Sequence, residues 1–154
     1  TFDCIWAISV IEHIGGAQAD GAAARTLYDH LRPGGRLIVT VPVDRRYRVE
    51  RRERAEYGFG QPDETGQVFF QHVYDEDALE AHLLSALPIR PARIGWFGEL
   101  TPGRFAAYER RWQHDGLNCT VDDPREFSDH YREFDSWQAM PGFGVCGLMW
   151  EKPA

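Results

Sequence analysis

A chain of 154 residues with 43% hydrophobic and 27% charged residues has room for about one domain with its own core, and that balance excludes a disordered tract. No apolar run approaches the ~20 residues of a membrane-crossing helix, and a net charge of −7 argues against a broad basic face for nucleic acid. The three cysteines, Cys4, Cys119 and Cys146, match no zinc-ligand spacing and read as free thiols in a reducing cytoplasm, Cys4 and Cys146 as small hydrophobes within apolar runs.

Residues 2–9 (FDCIWAIS) are almost continuously apolar, the pattern of a parallel strand covered on both faces. Residues 17–31 set Ala24, Leu27, Tyr28 and Leu31 at helical spacing, and Arg32-Pro33-Gly34-Gly35 stops that helix and turns the chain. Residues 36–41 (RLIVTV) follow as a second buried strand, so the opening of the chain is a βαβ unit with a right-handed crossover. Residues 43–72 show no apolar period and are expected to form a lid loop. Residues 75–87 predict a helix capped by Asp75, with Leu79, Leu83 and Leu87 inward. A short strand at 92–97, a helix at 105–113 carrying Phe105, Tyr108 and Trp112, and a final strand at 144–150 complete the pattern. Between the last two, residues 118–142 read as an irregular polar insertion with a helical turn near 126–134.

The segment FDCIWAISVIEHI followed by LYDHLRPGGRLIVTVPV resembles the class I S-adenosylmethionine-dependent methyltransferases. The matching elements are Phe2-Asp3, Ile11-Glu12-His13, Leu31-Arg32-Pro33-Gly34-Gly35 and Pro42; the later FFQHVYDEDAL and WFGE resemble a subgroup found among sugar, lipid and glycan methyltransferases. The resemblance implies an α/β, Rossmann-like sheet of strand order 3-2-1-4-5-7-6 with the seventh strand antiparallel. This chain would hold strands 4, 5, 7 and 6 with flanking helices, the C-terminal part of a single domain, with strands 1–3 missing. Phe2 would open strand 4, whose bare edge at residues 2–9 would pair with the missing N-terminal half. The glycine-rich loop that holds most of the cofactor has no counterpart here, since Gly58-Phe59-Gly60 follows no apolar strand. Thr1 in place of Met fits a piece cut within a domain, expected to bind S-adenosylmethionine poorly and to be inactive alone.

By the same resemblance, Ala7, Ile8 and Ser9 would line the methionine end of S-adenosylmethionine at the carboxyl edge of the sheet. Three readings of Glu12 and His13 stand side by side. Glu12 caps the turn and pairs with a basic group; or His13 serves as general base toward an acceptor hydroxyl; or Glu12, His13 and His72 hold a divalent metal, as in the small-RNA 3′-end methyltransferases. Ser9 stands where that last group has a carboxylate, which weakens the metal reading and with it an RNA 3′-end activity. The basic run after strand 5 also has two readings. Arg45, Arg46 and Arg48 meet an anionic acceptor, or residues 44–56 form a solvated helix laced by Arg46–Glu50, Glu50–Arg54 and Arg52–Glu56, which is the preferred one. Tyr47, Tyr57, Phe59, Phe69 and Phe70 wall a sugar or apolar acceptor, or fasten the lid; Trp96, Trp112, Trp137 and Trp150 read as packing residues. The expected activity is methyl transfer to a small-molecule, sugar or glycan- or lipid-linked acceptor. A non-catalytic interaction module is the further alternative.

Overall fold

The computed structural model describes residues 1–55, 60–115 and 125–154. In chain order the elements are β1 (Phe2–Ile8), a 3-10 turn (Ile11–His13), α1 (Ala19–Asp29), β2 (Leu31–Val43), β3 (Arg48–Arg52), β4 (Val68–Val73) and α2 (Glu76–Leu79), which runs on into a π-helical turn (Glu80–Leu84). β5 (Arg93–Glu99), α3 (Arg104–Asp115), α4 (Arg125–Ser128), β6 (Tyr131–Phe134) and β7 (Gly144–Glu151) follow. No helix among the described residues is long and apolar enough to cross a membrane.

The main sheet has five strands in the order β1-β2-β7-β5-β6. β1 and β2 are parallel, and β7 runs antiparallel to both of its neighbours. The first four positions follow the expected 4-5-7-6 order, and β6 adds an edge strand within the stretch expected to be irregular. One face of this sheet makes the core. Leu37, Val39, Val41 and Val43 of β2 and Cys146, Leu148 and Trp150 of β7 are buried there beneath Ala24, Tyr28, Leu79 and Leu83. Each such aliphatic side chain contributes roughly 1.5–3 kcal/mol by leaving water.

The helix expected at 17–31 ends at Asp29, and its Arg-Pro-Gly-Gly stop lies inside β2 as an irregularity: Phe2 pairs with Leu31, but Cys4 already pairs with Arg36. Gly35 is needed there, since a Cβ would stand 2.9 Å from the Arg32 carbonyl and 3.0 Å from that of Phe2.

Three expectations are corrected. Residues 43–72 are not a structureless lid, because β3 and β4 pair as an antiparallel ribbon; Tyr57 and Phe59 lie outside the described residues. The solvated helix expected at 44–56 does not form over residues 44–55, Glu56 lying outside the described residues: the charged side chains are used across the ladder and against neighbouring elements. Arg48 binds Asp44 at 2.6 Å and Glu50 at 3.1 Å, and Arg52 binds Glu109 at 2.7 Å, while Gln71 on β4 donates to Glu50. Finally, β1 is not covered on both faces. Trp6 is 70% exposed, Phe2 56% and Ile8 51%, while Ala7 on the other face is buried. Cys4 is accordingly exposed, whereas burial pushes the Cys146 thiol up to about 12. Cys119 and the Trp112 side chain lie outside what is described.

Candidate functional site

β1 and β2 both end at the edge of the sheet where β1 turns into α1, the edge at which open α/β sheets bind ligands. Ser9 leaves β1 there in a left-handed conformation (φ 50°), and its backbone N–H is held by the Thr40 hydroxyl of β2 at 3.1 Å. Such a φ is uncommon for a residue with a Cβ. It turns the chain sharply enough for Ile11–His13 to fold back under the edge as a 3-10 turn. Ala7 is buried, so only its backbone can face a ligand; Ile8 and Ser9 are open.

Glu12 is 1% exposed, and its Oε2 has no hydrogen-bond partner among the described residues. Burial raises its pKa, with its own backbone N–H, His13 and the Ser9 hydroxyl opposing that shift. A carboxyl so placed is costly to ionise. His13 faces β4: its Nδ1 lies 2.8 Å from the Phe70 carbonyl and its ring packs edgewise on Phe70. A carbonyl can only accept, so Nδ1 carries a proton in either charge state, and the neutral ring has its basic lone pair on Nε2.

His72 stands two residues further along β4. The Tyr47 phenol, whose own pKa burial raises, shares its proton with His72 Nδ1 at 2.8 Å. His72 is 5% exposed; burial lowers its pKa, and the Asp20 charge and the Ile14 carbonyl oppose that shift only in part. Its Nε2 makes no well-aligned hydrogen bond among the described residues.

Behind this pair lies a group that sequence reasoning missed. Asp20, fully buried near the start of α1, accepts from the Tyr74 hydroxyl at 2.7 Å, from His82 Nδ1 at 2.9 Å and from the Gly21 N–H at 2.8 Å. The rings of Tyr47, His72, Tyr74 and His82 pack on one another with centroids 5.6 to 6.4 Å apart. Asp20 reads in the sequence as an ordinary first-turn acid, and His82 as a polar position on a helix. Only the π-helical turn brings His82 around to Asp20, and only Gly21 lets α1 come so close: a Cβ there would lie 2.2 Å from the His82 carbonyl.

The candidates of the basic run, Arg45, Arg46, Tyr47 and Arg48, separate, Arg48 being paired with Asp44 and Glu50. Arg45 is committed to protein: its guanidinium donates to the carbonyls of Trp137, Gln138 and Met140 and lies 4.7 Å over the Trp137 ring. Arg46 is exposed, with no ion-pair or hydrogen-bond partner among the described residues. Tyr47 joins the His72 group. Glu12, His13 and His72 thus share one corner of the fold, but no three His, Cys, Asp or Glu side chains among the described residues converge as metal ligands.

No protein-family model matches the chain, and no curated protein does. Among solved structures it is similar to the [4+2]-cyclase SpnF, at 18% identity over 99% of this chain and 50% of that one, with a TM-score of 0.38. It is also similar to phosphoethanolamine N-methyltransferase 2 of Haemonchus contortus in complex with S-adenosyl-L-methionine, at 14% identity over 99% of this chain and 34% of that one, with a TM-score of 0.43. The chain therefore spans half the length of the first structure and about a third of the second.

Proposed function

We propose that this chain is the acceptor-side part of an S-adenosylmethionine-dependent methyltransferase acting on a small-molecule, sugar or glycan- or lipid-linked hydroxyl. The observation that carries the reading is the corner at 9–13. A strand bearing the family-like FDCIWAIS–IEH sequence delivers a tautomer-fixed imidazole to the ligand edge of a sheet with the expected strand order. The residues present fit one end of the cofactor only: Ile8 and Ser9 are open at the edge, and Ala7 offers its backbone. When bound, S-adenosylmethionine supplies an electrophilic methyl on a good leaving group, so that alignment of the acceptor accounts for much of the rate.

His13 would take the proton of the acceptor hydroxyl on Nε2 while Nδ1 stays bonded to Phe70, leaving the acceptor oxygen able to receive the methyl group that S-adenosylmethionine would supply. Glu12 is best placed to hold the turn beside His13, being too buried to meet substrate directly. The open edge of β1 is proposed to pair with a further strand that completes the cofactor site. From Cys4 to Ile8 it carries no charge or proline to blunt it, Asp3 being the one charged residue of the strand. The same edge supports the second reading, a non-catalytic interaction module.

The test is S-adenosylmethionine binding by the full-length protein that carries this chain, measured by calorimetry. Micromolar binding is expected, and its absence would overturn the reading. In that protein His13→Asn should lower kcat by about 100-fold or more with the KM for S-adenosylmethionine little changed. A module would show neither binding nor turnover.

A further inference from the structure

His82 has two ring nitrogens, and the fold uses one of them. Nδ1 is held by the buried Asp20 carboxylate at 2.9 Å, while Nε2 has no partner among the described residues and the side chain stays 20% exposed. The ring lines a hollow of about 400 Å³ between α1 and the π-helical turn, so both walls belong to this chain. Those walls are Gly21 and the methyl groups of Ala22, Ala81 and Ala86. The polar groups of the lining are Gln18, Arg25, Ser85 and His82. No carboxylate among the described residues lines it, in a chain that carries 24 acidic residues against 17 basic ones. Gln18 stands at the N-cap of α1, yet its side chain makes no capping bond. Arg25 is bonded to Asp29 one turn along the helix, an exposed pair that a better ligand readily displaces. The Ser85 hydroxyl is already donated to Glu80. Three side chains with protons to give therefore border the hollow, two of them, Gln18 and Arg25, at i, i+7 on one face of α1.

We propose that this hollow binds the phosphate group of a small phosphomonoester. Protonated His82 donates from Nε2 with the Asp20 carboxylate balancing its charge from behind, Arg25 exchanges Asp29 for the ligand, and the Gln18 amide supplies the third donor. A phosphomonoester matches this set better than a carboxylate does, having three terminal oxygens and a charge of about −1.5 to −2 near neutral pH. The hollow is of the size that small ligands fill, and its methyl walls suit an organic stem. A metal fits poorly, since His82 is the single His, Cys, Asp or Glu side chain of the lining. The titratable and charged groups that face His82 are Asp20 and Arg25 on α1, Tyr47 between β2 and β3, His72 on β4 and Tyr74 just after it. Burial holds both phenols in their protonated form and biases His72 to its neutral one, which leaves His82 as the ring that takes up a proton with the ligand.

The proposal is independent of methyl transfer. It is tested by calorimetric titration of the full-length protein that carries this chain with methyl phosphate, acetate and sulfate. Methyl phosphate should bind with a Kd below about 1 mM, and acetate about tenfold more weakly or worse. Sulfate keeps a fixed charge, so its affinity reports the protein's proton alone and should fall about tenfold between about pH 5.5 and about pH 7.5. His82→Gln should flatten that profile. Arg25→Gln should weaken methyl phosphate about tenfold, and Ala22→Glu, which sets a carboxylate on the wall, should abolish its binding. Both of these change exposed positions of α1 and should leave the thermal midpoint unchanged, so a loss of binding is not a loss of fold. No binding of methyl phosphate, acetate binding as tightly, a sulfate affinity indifferent to pH, or binding that the two α1 variants leave intact would each overturn the proposal.

Discussion

At the scale of single residues, two buried titratable groups respond to pH in opposite directions. Glu12 has a folded-state pKa raised above 4.5, so the fold favours its protonated form, and stability from this group is lost as pH rises through the raised value. Glu12→Gln should therefore be more stable than the parent chain by about 1–2 kcal/mol near pH 7. The gain should shrink to nothing below pH 4.5, which chemical denaturation at several pH values would show. His72 is depressed below 6.5, so the unfolded chain takes up its proton first, and stability falls as pH drops from 6.5 toward the folded value. His72→Gln should flatten the stability profile in that window; an unchanged slope would mean that the ring is not held neutral. Asp20 has the largest expected effect. Asp20→Ala strands the Tyr74 hydroxyl and His82 Nδ1, and should cost about 3 kcal/mol.

At the scale of elements, α1 and the π-helical turn meet through a single missing methyl group. Gly21→Ala pushes a Cβ into the His82 carbonyl and should destabilise by about 1–3 kcal/mol, read as a fall in the thermal midpoint. The periodic elements were legible in the sequence because one face of each is apolar at the right spacing: Leu37, Val39 and Val41 alternate along β2, and Ala24 and Tyr28 mark the buried side of α1. The β3–β4 ribbon was not, because Arg48 to Arg52 buries little and its i, i+4 charges imitate a helix, whereas the partner strand that settles it lies beyond residue 67. β6 was hidden likewise, with only Tyr131 and Phe134 of its four residues buried. In the site, His13 and Glu12 were legible from a local motif. Asp20, Tyr74 and His82 were not, since three elements distant in sequence bring them together.

At the scale of the whole molecule, the described residues pack one face of the sheet and leave the other open, with Phe2, Trp6 and Ile8 displayed along an edge strand. Light scattering of the isolated chain should show concentration-dependent association, and Trp6→Lys should suppress it without lowering the thermal midpoint by more than about 0.5 kcal/mol equivalent. β7, the last strand in chain order, lies between β2 and β5 and is the only strand of the main sheet that hydrogen-bonds to both. A ribosome that has finished everything up to residue 143 has therefore made two strand pairs that cannot yet join. Cooperative folding must wait for residues 144–151 to emerge, so a chain that stops just before Gly144 should be degraded as an unfolded one rather than persist as a slightly shortened domain.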